Sequence, residues 1–295
     1  MSDALKDTKY IMRKYNISAN KSLGQNFLIN DEAINEIVDA AKISKEDLII
    51  EIGPGLGTLT NKILEKAGKV IAIELDKRMI TILQDRFSLY NNFDIINEDV
   101  LKVNINELIK KHKQNENIKN AKIVANLPYY ITTPIIMKLI EERLDIESIT
   151  VMVQKEVAKR LTAQPGTHLS GAITYSVNYY CIPEEVTVVP NSSFIPEPEV
   201  ESEVIKLNIR NNPPVEVKNV ENFFKLIKVS FMQRRKTFIN GVTNSKFMSK
   251  EEIKNILDKL GIAENVRGEN LTLEDFAKIS NEYIKNIEKI DESML

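Results

Sequence analysis

Through its first two-thirds this chain alternates short, almost wholly apolar segments with stretches of helical period, and few architectures accommodate that pattern. The apolar segments are residues 48–52, 69–75, 93–97, 122–125 and 149–153. Between them lie amphipathic runs such as 31–41, which places Ile34, Ile37, Val38 and Ala41 on one face. A strand apolar on both faces needs cover on both, so the pattern predicts a parallel sheet between layers of helices. Two later strand-like segments, 186–189 and 204–209, follow one another through a proline-containing link with no helix between them. They read as an antiparallel addition at the sheet edge. Asn211-Asn212-Pro213-Pro214 marks a linker. Beyond it Ser249 and Glu252 form a capping box ahead of Ile253, Ile256, Leu257 and Leu260; Gly261 stops that helix, and Thr272 with Asp275 opens another. The expected class is α/β. A seven-stranded sheet domain should cover residues 1–210, with a basic amino-terminal arm over 1–30, and a small α-helical domain should cover 211–295.

At 295 residues the chain is long enough for two domains and a sizeable core. No apolar run approaches the ~20 residues of a membrane span. The amino terminus, with Asp3, Lys6 and Asp7, lacks the apolar core of a signal peptide. The single cysteine, Cys181, excludes an internal disulfide, and with His112 and His168 as the only histidines no metal site is expected. A cytoplasmic monomer without membrane attachment is the expectation.

Signals for chemistry gather at the ends of the apolar segments. Gly53-Pro54-Gly55-Leu56-Gly57 follows the first of them and precedes a helix-like stretch at 58–66. Glycines at alternate positions let a ligand approach the backbone closely. A dinucleotide fingerprint would place its third glycine where this chain has Thr58, and Pro54 removes an N–H that would cradle a pyrophosphate. A cofactor without phosphates fits this loop better. Glu74 ends the second segment, where a carboxylate can accept hydrogen bonds from both ribose hydroxyls. Asp99 follows the third and can accept from an adenine amino group. After the fourth comes Asn126-Leu127-Pro128-Tyr129. There the Asn126 side-chain oxygen and the Leu127 carbonyl, ahead of the donor-less Pro128, can accept both hydrogens of an exocyclic amino group, and Tyr129 offers a flat face for the ring. Singly, each feature also reads as an ordinary turn, solvated strand end or helix cap. In order at successive strand ends, they match the way an open α/β sheet binds ligands.

With Lys21-Ser22-Leu23-Gly24-Gln25-Asn26-Phe27-Leu28, these blocks resemble class I S-adenosylmethionine-dependent methyltransferases. More narrowly they resemble the bacterial small-subunit ribosomal RNA adenine dimethylases. Gln154-Lys155-Glu156-Val157-Ala158, Phe194-Ile195-Pro196-Glu197-Pro198 and Gln233-Arg234-Arg235-Lys236 match as well, so the resemblance covers nearly the whole chain. It implies a Rossmann-like seven-stranded methyltransferase sheet and S-adenosylmethionine as cofactor, leaving S-adenosylhomocysteine as product. It implies cofactor contacts from Gln25, Asn26, Leu28, Gly53, Gly55, Glu74, Asp99 and Asn126. The implied reaction methylates the N6 amino group of two adjacent adenosines near the 3′ end of small-subunit (16S) ribosomal RNA, giving N6,N6-dimethyladenosine. Catalytic roles fall to Asn126, Leu127, Tyr129 and Phe194. For Phe194 a place against the target base and a core position on an edge strand both fit; Tyr130 is either a pocket wall or packing. Related methylases act on large-subunit RNA, and Pro54, Leu56, Leu127 and the long helical tail favour the small-subunit branch. The chain departs from the family pattern at Glu199 and Glu201, where Lys and Asp are usual, and at Ser170, where an aromatic residue is usual before Gly171.

A net charge of −2 leaves the partner to be read from how charge is distributed. Residues 225–240 carry five basic side chains and no acid, whereas 184–203 carry six glutamates and neither Lys nor Arg. The arm adds Lys6, Lys9, Arg13, Lys14 and Lys21. Lys155, Lys159, Arg160, Arg234, Arg235 and Lys236 are therefore expected to meet the RNA of the small ribosomal subunit, with the glutamate-rich segment repelling phosphate. Two other readings stay open: an adenine methylase for large-subunit RNA or DNA, and a non-enzymatic assembly or transcription factor built on the same fold. A pure binder has no need of Glu74, Asp99, Asn126 and Tyr129 together.

Overall fold

The computed structural model describes residues 2–115, 117–233 and 235–293. In chain order the strands are β1 (Phe27–Leu28), β2 (Asp47–Ile52), β3 (Lys69–Glu74), β4 (Phe93–Asn97), β5 (Asn120–Asn126), β6 (Ser148–Gln154), β7 (Cys181–Val189), β8 (Phe194–Ile195) and β9 (Ser202–Ile209). The helices are α1 (Asp3–Lys14), α2 (Asp31–Ala41), α3 (Thr58–Lys66), α4 (Lys77–Arg86), α5 (Ile105–His112), α6 (Thr132–Glu141), α7 (Lys155–Thr162), α8 (Ala172–Tyr180), α9 (Val220–Phe231), α10 (Phe238–Asn244), α11 (Lys250–Leu260) and α12 (Leu273–Ser293).

Seven strands form one sheet in the order β4-β3-β2-β5-β6-β9-β7, and the short β1 and β8 pair separately. From β4 to β6 all pairs are parallel, and β9 runs antiparallel to β6 with Thr150 opposite Lys206. Every residue of β2 is buried, Asp47 and Glu51 included, so the strand is covered on both faces. The five parallel strands end within two residues of the expected segments. β7 instead begins at Cys181, earlier than expected, because Pro183, Glu184 and Glu185 interrupt the apolar pattern. Proline and charge are tolerated there because β7 lies at the sheet edge. The β1–β8 pair leaves no periodic signal in two-residue strands and was not expected.

Local chemistry sets the helices. Asn30 caps α2 by accepting the N–H groups of Glu32 and Ala33 at 3.0 and 3.2 Å, and Ile34, Ile37, Val38 and Ala41 face the core. Ser249 and Glu252 make the reciprocal bonds of the capping box at α11, and Gly261 closes that helix in the left-handed region.

The chain divides into two compact units, one comprising 1–158 and 182–209, the other 159–181 and 210–295. The second unit therefore takes in a segment that the single expected boundary at 210 assigned to the sheet domain. Its aromatic residues explain this. Tyr175 and Tyr179 of α8 are buried in one apolar cluster with Phe223, Phe238 and Phe276, and the Tyr175 hydroxyl donates to the Leu271 carbonyl at 2.6 Å. Among the described residues, no helix is long and apolar enough to cross a membrane.

At the amino ends of β2 and β5, Lys122 is 4% exposed and its Nζ lies 2.9 Å from Asp47 Oδ2 and 2.7 Å from the Lys42 carbonyl. Asp47 is fully buried, so Lys122→Ala would strand a charge in the interior. Denaturant unfolding should show a loss of about 3–5 kcal/mol for that variant, with much of it recovered in Lys122→Met/Asp47→Leu, where both charges are gone. A single variant within about 1 kcal/mol of wild type would contradict this reading of the pair.

Candidate active site

The chain passes through β2, β3 and β4 in one direction across the sheet, then returns to place β5 and β6 on the other side of β2. At such a reversal the loops leaving neighbouring strands diverge and open a crevice at their carboxyl ends. Here a cleft lies within the first unit. It is bounded by the segment entering β1, the glycine loop after β2, and the turns after β3, β4 and β5. Asn26, Leu28, Gly53, Gly55, Glu74, Asp99, Asn126, Leu127 and Tyr129 all line it, so one cleft unites residues far apart in the chain.

The lining is electrostatically one-sided. Among the described residues, Glu51, Glu74, Glu98 and Asp99 line the cleft and no Lys or Arg does. A phosphate-bearing cofactor would find no counter-charge, whereas a cationic nucleoside would be attracted. Gly53 and Gly55 both have positive φ (69° and 58°) and leave bare backbone along one wall. Gly55 N–H donates to Glu74 Oε2 at 3.1 Å and Asp76 N–H donates to Glu74 Oε1 at 2.8 Å. Each carboxylate oxygen keeps a lone pair for a ligand hydroxyl. Burial pushes the Glu74 carboxyl above its ordinary range, and the backbone N–H groups of Asp76, Gly55 and Leu75 oppose the shift. Glu51 is 1% exposed, and burial, helped by the nearby Glu74 charge, pushes it up to about 8. The neighbouring Thr60 hydroxyl favours the ionised form, yet neither Thr60 Oγ1 nor Glu51 Oε2 reaches hydrogen-bond geometry. Asp99 Oδ1 accepts Leu101 N–H at 2.9 Å.

At the end of β5, Asn126 Nδ2 donates to the Asn26 carbonyl at 3.4 Å. A carbonyl can be bonded only by the NH₂ end of the amide, so this contact decides which end of Asn126 is left as acceptor: Oδ1. The Leu127 side chain is buried, its N–H donates to Met152 at 3.2 Å, and Pro128 follows in extended geometry. The Tyr129 hydroxyl makes a hydrogen bond of 2.6 Å with Ser202 Oγ on β9, a buried hydroxyl that nothing in the sequence distinguishes from core packing. Burial raises the Tyr129 pKa.

Comparison with known proteins follows the same outline. Residues 16–285 match the family model described as ribosomal RNA adenine dimethylase. The chain belongs to the ribosomal RNA adenine dimethylase family. Ribosomal RNA small subunit methyltransferase A of Clostridioides difficile is 48% identical over 274 residues, covering 93% of this chain and 94% of that protein. The protein of the same name from Alkaliphilus oremlandii is 45% identical, covering 96% and 98%. A dimethyladenosine transferase from Plasmodium falciparum has a crystal structure with a TM-score of 0.73 and 30% identity, covering 88% of this chain and 97% of that one.

Within this member of the ribosomal RNA adenine dimethylases, several expected site residues lie elsewhere or are already engaged. Phe194 is 3% exposed, absent from the cleft lining, and sits opposite Leu28 in the β1–β8 pair, in the core cluster with Ile34, Val189 and Val204. Of its two sequence readings, this structure has the core one. Tyr130, by contrast, lines the cleft and is 58% exposed. Gln25 also lines it, but both ends of its amide are bonded within the protein, to Asp76 and to Asn20. Lys155, expected to face RNA, is ion-paired with Glu201 at 2.7 Å, so the glutamate at 201 keeps a carboxylate for that lysine. Glu199 is exposed. Ser170 is fully buried, its hydroxyl accepting Thr167 N–H and donating to the Gln164 carbonyl. Arg160, Arg235 and Lys236 are exposed, and Arg234 lies outside the described residues.

The Glu51 shift gives a sign that can be measured. A carboxyl raised from 4.5 to about 8 in the folded state favours folding only while protonated, so its contribution is lost as pH rises through that window. Glu51→Gln cannot ionise. Without ligand, its unfolding free energy should gain on wild type between about pH 5 and pH 8, by at most ~1.4 kcal/mol per pH unit. A difference that stays constant with pH would contradict the burial argument.

Proposed function

We propose that this chain transfers methyl groups from S-adenosylmethionine to the N6 amino group of adenosines in small-subunit ribosomal RNA, through the cleft at the ends of β2 to β5. Family membership supports ribosomal RNA adenine dimethylation, and the name shared by the bacterial relatives supports the small subunit as substrate. The observation that carries the reading is the Asn126 amide: its NH₂ end is occupied by Asn26, and its oxygen is left to accept from an amino-bearing base.

The cleft suits the cofactor on chemical grounds. Its acids favour the charge of a sulfonium and an ammonium group, Glu74 fits the two ribose hydroxyls, Asp99 fits the adenine amino group, and the bare Gly53–Gly55 backbone admits close approach. S-adenosylmethionine, when bound, supplies an electrophilic methyl group.

The residues then have distinct tasks. The N6 lone pair of adenine is delocalised into the ring and is a poor nucleophile. Asn126 Oδ1 and the Leu127 carbonyl accept its two hydrogens, favour a pyramidal nitrogen, and stabilise the positive charge that develops there. Tyr129, steadied by Ser202, offers the surface on which an unstacked base rests, so that binding orients the amine as well as holding it. No strong base is required, because the alkylated nitrogen is acidic and releases its proton to water. A monomethylated amine retains one hydrogen for Asn126, so a second transfer is chemically allowed. Arg235 and Lys236 add exposed positive charge for RNA phosphates. A cytoplasmic monomer acting on a nearly assembled small subunit completes the proposal.

Labelled S-adenosylmethionine, offered with unmethylated small subunits, large subunits and DNA, tests this directly. Label should enter small-subunit RNA as N6,N6-dimethyladenosine, and Asn126→Ala should reduce the rate by at least ~10²–10³-fold with an unchanged melting temperature. Label on large subunits alone would overturn the substrate, and an Asn126→Ala rate within a few-fold of wild type would overturn the site.

A further inference from the structure

Two adjacent residues of the segment entering β1 reach to opposite sides of the cleft. Gln25 Nε2 donates to Asp76 Oδ2 at 2.9 Å, just beyond the end of β3. The Asn26 carbonyl accepts from Asn126 Nδ2 at the end of β5. The other end of the Gln25 amide is held as well, Oε1 accepting Asn20 N–H at 2.8 Å. Asp76 is itself fixed. It is 7% exposed, bonded by the Arg78 guanidinium at 2.6 Å and by Arg78 N–H at 3.0 Å, and its own N–H donates to Glu74 Oε1. A single run of bonds therefore joins the acid that fits a ribose to the amide that fits a base: Glu74, Asp76, Gln25, Asn26, Asn126.

We infer that Gln25 and Asp76 are positioning residues that fix which end of the Asn126 amide faces the substrate. The inference rests on the methyltransferase reading and adds to it a reason why a cofactor-lining glutamine keeps its amide for the protein. An asparagine amide can turn about its Cβ–Cγ bond and present either end. With the NH₂ end outward, donors would face the two N–H groups of the adenine amine, and the site would repel its substrate. Among the described residues, only the Asn26 carbonyl selects the useful orientation, and that carbonyl is located by its neighbour's bond to Asp76. Loss of the tether frees the carbonyl to drift by a fraction of an ångström or more. For a bond already at 3.4 Å, that is enough to release the amide.

The hydrogen bond between residues 25 and 76 can be broken and then rebuilt with its polarity reversed. Gln25→Glu sets two carboxylates against each other, and Gln25→Ala removes the bond without adding charge. In Gln25→Glu/Asp76→Asn the donor moves to position 76 and the acceptor to position 25, Asn20 N–H still meets an oxygen, and the Arg78 guanidinium keeps the oxygen left at 76 and gains the carboxylate at 25 in place of Asp76 Oδ2. Four readouts are needed: kcat and KM for ribosomal RNA methylation, the Kd of S-adenosylhomocysteine by calorimetry, the side-chain ¹⁵N–¹H resonances of Asn126, and the melting temperature. Both single variants should lose about 10- to 100-fold in kcat, the scale expected when a reacting group is misplaced by about an ångström. Their kcat should fall by more than their affinity for the product does, and the Asn126 amide resonances should shift. The double variant should return the resonances and most of kcat. Single variants with wild-type kcat and unmoved resonances, losses of kcat matched by equal losses of product affinity, or a double variant that restores neither readout would overturn the inference. The resonances of the ligand-free protein also separate the two claims. If wild type methylates no RNA, the functional reading fails, while the amide shift still reports whether the tether orients Asn126.

Discussion

Strands β2 and β5 lie side by side although β3 and β4 come between them in the chain, and everything at the site depends on that adjacency. Their loops must part at the carboxyl end, because one leads back toward β3 and the other toward β6. The glycine loop and the Asn126–Tyr129 turn thus face each other across a gap that the fold has no other means of filling. Paired registers such as Ile52 with Ala125 set how far each strand projects toward it. The buried Lys122–Asp47 pair secures the same two strands at the opposite end.

Electrostatics then determines what enters. Among the described residues, four acidic side chains and no basic one line the cleft, which disfavours phosphorylated ligands; burial, helped by the Glu74 charge, pushes Glu51 up to about 8. Hydrogen bonds arrange those acids before any ligand arrives: backbone N–H groups of Gly55 and Asp76 both converge on Glu74. The segment entering β1 bridges the gap between the acidic side and the amide side. One wall of the cleft is therefore made by chain that precedes the whole sheet, and its position is kept by side-chain bonds.

Much of this was legible in the sequence because it is local. Apolar strands buried on both faces announce themselves by composition, and Glu74, Asp99 and Asn126 were found by their places at strand ends. What escaped depends on partners far along the chain. Phe194 is an aromatic residue in a motif, and only its pairing opposite Leu28 places it in the core. Gln25 sits beside Asn26 in a segment expected to touch the cofactor, and nothing nearby signals that Asp76 claims its amide. Ser202 resembles any small residue opening a strand until Tyr129 is seen across from it. Tyr175 and Tyr179 place residues 159–181 in the helical unit, although the linker at 211–214 alone predicts them with the sheet. Lys155 is basic by sequence, yet Glu201 already pairs with it.

The central claim is that a methyl donor and an amino-bearing base share this cleft, the donor held from the Glu74 side and the base from the Asn126 side. A crystal structure of the chain with S-adenosylhomocysteine tests it most directly. The account requires the ribose hydroxyls on Glu74, the adenine amino group at Asp99, and the sulfur opening toward Asn126 and Tyr129. A ligand whose ribose lies away from Glu74, or whose sulfur turns away from Asn126, would contradict it.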